Sequence, residues 1–394
     1  IYTFSPGRAD IYAVLQGDGS LPPIVLLSHM DVVQAVPLEW RAPPFSGQII
    51  DGMIYGRGAM DMKDMGVLEA MVMLIAARAH APLKRNLIFL ATGDEEVNDQ
   101  GSAWLLDHHP ELVRGAQYLI TEGGSNVIWP MGPNGARIYG IGVAEKAPLW
   151  LRLTAHGRGG HGSVPISDSA PNQLARALCK IVDWQPPVRL IPAVAQYFES
   201  LAPVESQPLA SKFRHISKSI KNPAFVRRLT RAPEFNTLIR DTVSLTEMRA
   251  GTQTNVIPGA ASADLDVRLL PGSDPDNFLS QLRRVIGNGS ITIEKTSPFR
   301  APNASPTDTS LYRIIKSVVK SYDPGALVTP VLNSGYTESQ MYRPLGIICY
   351  GFTPVLATPA LEATEHAPNE RVPVEQIRRG VKMLYQIVME AANE

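Results

Sequence analysis

Short apolar runs and helix-spaced apolar positions alternate along the first third of the chain. Residues 24–27 and 87–90 are uninterrupted apolar runs of strand length, and 118–120 form a shorter third run. Between the first two, residues 63–79 place Val67, Leu68, Met71, Val72, Leu74 and Ile75 at helical spacing. Continuous apolar runs read as strands covered on both faces, and their alternation with helices predicts an α/β fold with a mostly parallel sheet and helices on both faces. Polar residues gather where each run stops: Ser28-His29-Met30-Asp31, Gly93-Asp94-Glu95-Glu96 and Thr121-Glu122. Open α/β sheets bind ligands at the carboxyl ends of their strands, so these are candidate site residues.

Near residue 147 the pattern changes. Residues 149–155 read as a strand followed by the glycine-rich stretch 157–162, and 169–182 as a helix. Further strands are expected at 255–258, 263–269 and 291–294, with a helix near 276–285. This mixture predicts a smaller α+β domain, residues 147–296, inserted into a larger domain made of 1–146 and 297–394. Seven prolines between Gln185 and Leu245 mark that stretch as irregular. Residues 374–392 read as a closing amphipathic helix.

Composition narrows the function classes. The 394 residues hold 37 Lys+Arg and 37 Asp+Glu, so the net charge is zero, which argues against a dedicated nucleic-acid binder. Two cysteines, Cys179 and Cys349, exclude a disulfide framework and a Cys-ligated zinc ribbon. No run approaches the ~18 apolar residues of a membrane span. The chain opens on Ile1 rather than Met, so the natural N-terminus, with any signal peptide, is expected upstream.

The polar strand ends offer metal chemistry, each with a plainer alternative. His29 and Asp31 lie two apart and can converge at one strand end, as a ligand and the carboxylate that orients it, or as a buried histidine with a hydrogen-bonded acid. Asp61, after the glycines of Tyr55-Gly56-Arg57-Gly58, sits at a helix entrance, as a metal-facing acid or an ordinary helix cap. The Glu95-Glu96 pair can divide into a base and a ligand, or belong to a solvated loop. Glu122 repeats the strand-end pattern, and His366 adds a second imidazole from the far end of the chain. As a set they balance: two zinc ions and a shared hydroxide offset Asp61, Glu96 and Glu122 to zero net charge, which a partly dry cleft tolerates.

With these motifs in order, the sequence resembles the aminoacylase–glutamate carboxypeptidase family of co-catalytic zinc metallopeptidases, which includes acetylornithine deacetylases and succinyl-diaminopimelate desuccinylases. The resemblance runs through Ser28–Asp31, Gly56–Lys63, Asp94–Glu96, Thr121–Gly123, Gly160–Ser163, Asn255–Pro258 and the His366 segment. It implies two zinc ions, replaceable by cobalt or manganese. Asp61 would bridge them, His29 and Glu122 would complete one, and Glu96 and His366 the other. Glu95 would be the general base and Asp31 the orienting carboxylate. The inserted domain would be a lid that forms a homodimer, from which His161 and Asn255 reach a partner's site, His161 holding the oxyanion. Arg268 would hold a substrate carboxylate. The implied reaction is hydrolysis of an amide next to a free carboxylate, in a small peptide or an N-acyl amino acid, by a carboxypeptidase or deacylase; the alternatives are a dipeptidase of the same family or a non-catalytic binding protein on the same fold.

Three departures from the family stand out. Asp64 replaces a common glycine. Ser334-Gly335-Tyr336-Thr337-Glu338 replaces Gly-Gly-Thr-Asp, and the 185–245 stretch exceeds a minimal lid. Two further patterns carry less. The stretch from Gly157 to Gly162 matches G-x-G-x-x-G by chance, since prolines 165 and 171 fall where its helix should open. Seven cations between Lys212 and Arg231, with no acid among them, read as a solvated helix face.

Overall fold

The computed structural model describes residues 1–129 and 136–394. Its large sheet has nine strands. From one edge they run Tyr2–Ser5, Arg8–Leu15, Leu87–Thr92, Ile24–His29, Tyr118–Thr121, Ile348–Gly351, Ala136–Glu145 and Leu327–Asn333, with Ser125–Trp129 also paired to Ala136–Glu145. The four strands from Leu87–Thr92 to Ile348–Gly351 are mutually parallel. The flanking Arg8–Leu15 and Ala136–Glu145 join them antiparallel.

Strand periodicity divides the apolar runs between two cores. Ile24 and Leu26 pack with Leu68 and Val72 of helix Lys63–Arg78 and with Leu384 and Ile387 of helix Val374–Asn393. Val25 and Leu27 pack on the opposite face, with Leu105 of helix Gln100–His108. A strand with no polar face needs helices on both sides, and it has them.

The smaller sheet is antiparallel, in the order Thr242–Ala250, Ala260–Leu269, Ala147–His156, Ile291–Lys295. Leu149, Leu151, Leu153 and Ala155 face helices Ala170–Asp183 and Pro275–Ile286, while the alternating Trp150, Arg152 and Thr154 stay partly or largely exposed. The strand Thr242–Ala250 was not anticipated, because its residues are mostly solvent-facing and give no buried period.

The 185–245 stretch differs from expectation. It contains the helices Pro192–Leu201, Leu209–Arg214, Ile216–Ser219, Pro223–Leu229 and Pro233–Leu238. Prolines 192, 223 and 233 each open a helix, where their missing N–H costs nothing and their fixed φ suits the first turn. Val194, Phe198, Phe213, Ile216 and Phe225 join the core of the large sheet rather than that of the small one. The 185–245 stretch thus supplies part of the hydrophobic core that covers the large sheet. The seven cations of 212–231 are all exposed, and among the described residues none forms an ion pair.

Lys146 sits where strand Ala136–Glu145 of the large sheet passes into Ala147–His156 of the small one. It is fully buried, and its Nζ donates to the Arg240 carbonyl at 3.0 Å and the Thr242 hydroxyl at 2.8 Å, where the chain crosses between the sheets again. No helix among the described residues is long and apolar enough to cross a membrane.

Candidate active site

The acids and imidazoles singled out in the sequence converge at one end of the parallel strands. His29 ends the strand Ile24–His29, Glu122 follows Tyr118–Thr121, and Glu95 and Glu96 open a short helix just beyond Leu87–Thr92. Asp61 precedes helix Lys63–Arg78, and His366 lies in the loop before Arg371–Pro373 with φ +57°.

Asp61 is the centre. Its Oδ1 is 3.0 Å from His29 Nε2, and its Oδ2 is 2.8 Å from His366 Nε2. Glu122 Oε2 is 3.9 Å from His29 Nε2, and Glu96 Oε2 is 3.3 Å from His366 Nε2. The ligand atoms of His29, Asp61 and Glu96 lie within 4.8 Å of one another, as do those of His29, Glu95 and Glu122.

The donor set fits metal ions on two grounds. Ligand atoms on one tetrahedral zinc stand ~3.3 Å apart, and the four separations straddle that value. The second ground is the tautomer. His29 Nδ1 lies 3.1 Å from the Asp31 carbonyl, which can only accept, so Nδ1 carries the proton. Nε2 then presents a lone pair to a carboxylate oxygen 3.0 Å away, an arrangement that requires a cation or a second proton between them. Glu96 Oε1 is buried with no hydrogen-bond partner among the described residues.

Electrostatics show the same demand for positive charge. Burial drives Glu95 up to about 9, with Glu338, Asp99 and Asp61 adding to the effect against His29. Burial also lifts Glu122 and Glu96 above the usual carboxylate range. For His29, burial disfavours the charged ring, yet the Asp61 hydrogen bond and the charges of Glu122 and Glu95 take it to about 11.

Asp31 takes a different part from the one expected. Its carboxylate is 3.7 Å from His29 Nδ1, and the main-chain carbonyl is the imidazole's partner instead. The carboxylate accepts the amides of Glu95 at 3.1 Å and Glu96 at 3.0 Å, fixing the turn that presents both acids. One residue therefore orients His29, Glu95 and Glu96.

Glu370 has no role in the sequence reading. It is fully buried and accepts from Arg57 at 2.6 Å and from the amides of Gly58, Met60 and Asp61 at 2.9, 2.8 and 3.2 Å. Arg57 also donates to the His366 carbonyl at 3.2 Å. The pair fastens the Asp61 turn to the His366 loop. Only an acid-after-histidine spacing hinted at this, because the partners are main-chain amides. Asp64 is buried in the first turn of helix Lys63–Arg78, and its carboxylate accepts the Met65 amide at 2.7 Å.

A cleft of about 710 Å³ opens over this cluster. Trp150 and Arg268 reach it from the small sheet, and Asn333 and Tyr336 from the large one. Arg268 is held by Asp266 through Nε at 2.8 Å and Nη2 at 3.1 Å, leaving Nη1 without a partner among the described residues. His161 and Asn255 do not line this cleft. His161 is exposed on a two-residue strand paired with Val256–Ile257, its Nδ1 accepting the Ser163 hydroxyl at 2.7 Å. The Gly162 amide donates to the Asn255 carbonyl at 2.7 Å, so the two expected lid residues are neighbours, outside the cleft that the clustered acids of their own chain line.

The chain is similar to known proteins along nearly its whole length. The model of Peptidase family M20/M25/M40 matches residues 25–390. Human N-fatty-acyl-amino acid synthase/hydrolase PM20D1 is 30% identical over 401 residues, covering 98% of this chain and 77% of its own length. Mouse aminoacylase-1 is 28% identical over 371 residues, or 92% of this chain and 78% of its own. Among solved structures, the M20 family metallo-carboxypeptidase Sso-CP2 of Sulfolobus solfataricus shares the fold, with a TM-score of 0.71 at 20% identity over 97% of this chain and 88% of that one.

Proposed function

From the premise that this chain belongs to peptidase family M20/M25/M40 and hydrolyses amide bonds, we propose that it releases an amino acid with a free carboxylate from an N-acyl amino acid, with two zinc ions held by His29, Asp61, Glu96, Glu122 and His366. Bound zinc lowers the pKa of water and polarises a carbonyl. The chain's own residues do the rest.

Glu95 accepts the proton of the attacking water and passes it to the leaving amine. Its carboxylate lies within 4.8 Å of the ligand atoms of His29 and Glu122, while the imidazoles of His29 and His366 pair with Asp61. Asp31, through the two amides it accepts, sets the direction of Glu95 and Glu96 together. Arg268 offers its free Nη1 to the substrate carboxylate, a charge-assisted contact that positions the amide over Glu95. His161 and Asn255, exposed and outside their own chain's cleft, suit a homodimer in which each lid serves the partner's site.

The observation that carries this reading is the splitting of the Asp61 carboxylate between two imidazoles, each with its own glutamate. The test is a hydrolysis panel of N-acetyl and longer N-acyl amino acids, dipeptides and acetylornithine, on protein stripped of metal and reloaded with zinc, cobalt or manganese. The reading expects N-acyl amino acids to be the fastest class and two metals per chain at full activity. A preference for free dipeptides assigns the chain to the dipeptidase alternative, and an inert, metal-free protein to the binding-protein alternative.

A further inference from the structure

The cleft beside Glu95 is rich in acceptors and poor in donors. Asp61, Asp64, Glu95, Glu96 and Glu122 all line it. A scissile carbonyl that gains negative charge needs a hydrogen-bond donor among them. Several donor-bearing side chains in the lining are committed: Thr337 donates to Glu145 at 2.9 Å, Asn126 to the Thr353 carbonyl, and two nitrogens of Arg268 to Asp266. Tyr336 lines the same cleft, and its hydroxyl has no hydrogen-bond partner among the described residues.

Its position is fixed from several sides. The Arg268 guanidinium lies over the ring, 5.8 Å from its centroid. The next residue, Thr337, is anchored by its amide and hydroxyl to Glu145, which is itself held by Arg343 at 2.9 Å. Glu338 accepts the Thr92 hydroxyl at 2.9 Å, and the Gly335 amide donates to Asn333 at 2.9 Å. A Cβ at Gly123 would stand 2.9 Å from Thr337 Cγ2, so this loop packs directly against the residue following Glu122. Tyr336, Glu95 and Arg268 thus line the same cleft, with Arg268 over the Tyr336 ring. Burial, with the charges of Asp99, Glu95 and Glu96 against Arg268, raises the phenol's pKa, so it remains a donor at neutral pH.

We propose that Tyr336 is a catalytic residue whose phenol O–H donates a hydrogen bond to the oxygen of the scissile carbonyl as charge develops there. The phenol keeps its proton throughout, and no covalent bond to Tyr336 forms. The inference rests on the reading above, that an N-acyl amino acid is held by Arg268 and attacked beside Glu95. In that substrate only two bonds separate the carboxylate carbon from the amide nitrogen, so an arginine holding the carboxylate brings the scissile carbonyl close to the ring beneath it. A tyrosine in this loop gives the chain a donor of its own, independent of the lid histidine.

Tyr336→Phe removes one oxygen and keeps the ring under Arg268. In the zinc-loaded enzyme, kcat for an N-acyl amino acid falls ~100-fold, the scale of losing one oxyanion donor, with KM within about threefold and metal content and melting temperature unchanged. A phosphinate mimic of the tetrahedral species loses affinity by a similar factor, while the product amino acid binds as before. Unchanged kcat and phosphinate affinity overturn the proposal. A raised KM at constant kcat also overturns it, making the phenol a partner of the carboxylate. If the unaltered protein neither hydrolyses N-acyl amino acids nor binds the phosphinate, the functional reading itself fails. That result is distinct from a neutral substitution in an active enzyme.

Discussion

The two carboxylate oxygens of Asp61 face two different histidines, His29 Nε2 at 3.0 Å from Oδ1 and His366 Nε2 at 2.8 Å from Oδ2. These partners lie 32 and 305 residues away along the chain. An N-terminal cap needs only one oxygen aimed at a helix amide, whereas Met62 holds the cap position of the helix that follows and both Asp61 oxygens face imidazoles. The geometry therefore favours a bridging role over a capping one.

Metal stoichiometry follows from that bridge. Asp61→Ala removes a ligand from both positions and should abolish tight binding of both zincs, whereas His366→Ala should weaken one. Metal titration of the dialysed variants measures this. Two tightly held zincs in Asp61→Ala would return Asp61 to the capping role.

Glu95→Gln keeps the shape of the side chain and its place on the Asp31-anchored turn but removes the base. Turnover should drop at least ~100-fold with metal content unchanged. Single-turnover hydrolysis together with metal analysis separates this outcome from simple loss of zinc, which would instead make Glu95 a ligand.

The buried Arg57–Glu370 pair predicts a stability effect away from the chemistry. Glu370→Ala leaves Arg57 uncompensated in the interior and strips acceptors from three amides, a change expected to cost about 3–5 kcal/mol. Metal affinity should fall as well, because the Asp61 amide loses its anchor. Urea denaturation and zinc titration report the two effects, and a loss under about 1 kcal/mol would show that the clamp is dispensable.

Lid action between subunits is testable by mixing. His161→Ala alone should lower turnover ~100-fold or more with metal intact. Inactive His161→Ala and inactive Glu95→Ala chains, once exchanged, should regain part of the activity, since one site of each heterodimer has both groups. A dead variant without rescue after verified exchange would place the completed site within one chain.

Asp10 gives a pH signature. Burial, opposed by the Gly93 amide and assisted by Glu338 and Asp94, pushes its carboxyl up to about 6, against about 4 unfolded. Between those values the folded chain binds more protons than the unfolded one, so this contribution is present below pH 4 and is lost as pH rises through 6. Asp10→Asn keeps the acceptor for Gly93 and should be more stable than the unaltered protein at pH 7–8 by roughly 2–3 kcal/mol, the gap closing below pH 4. Urea melts across that range decide it, and a pH-independent gap would show that Asp10 does not titrate in this window.

By itself the sequence determined the alternation of buried strands and helices, because a strand covered on both faces must be apolar at every position, as in residues 24–27. It also determined the inventory of acids and imidazoles at strand ends, because those residue types have few other uses beside a glycine-rich turn. Spacing could not say which groups meet. The approach of His366 to Asp61, the hold of Glu370 on three amides, and the transfer of the Asp31 carboxylate from His29 to the amides of Glu95 and Glu96 are long-range or main-chain contacts that leave no period in the chain. Tertiary packing likewise turned the proline-rich 185–245 stretch into five helices that fill the larger core, since proline breaks a helix interior but opens a first turn. It also set Tyr336 under Arg268, two residues joined only when the small sheet faces the large one across the cleft.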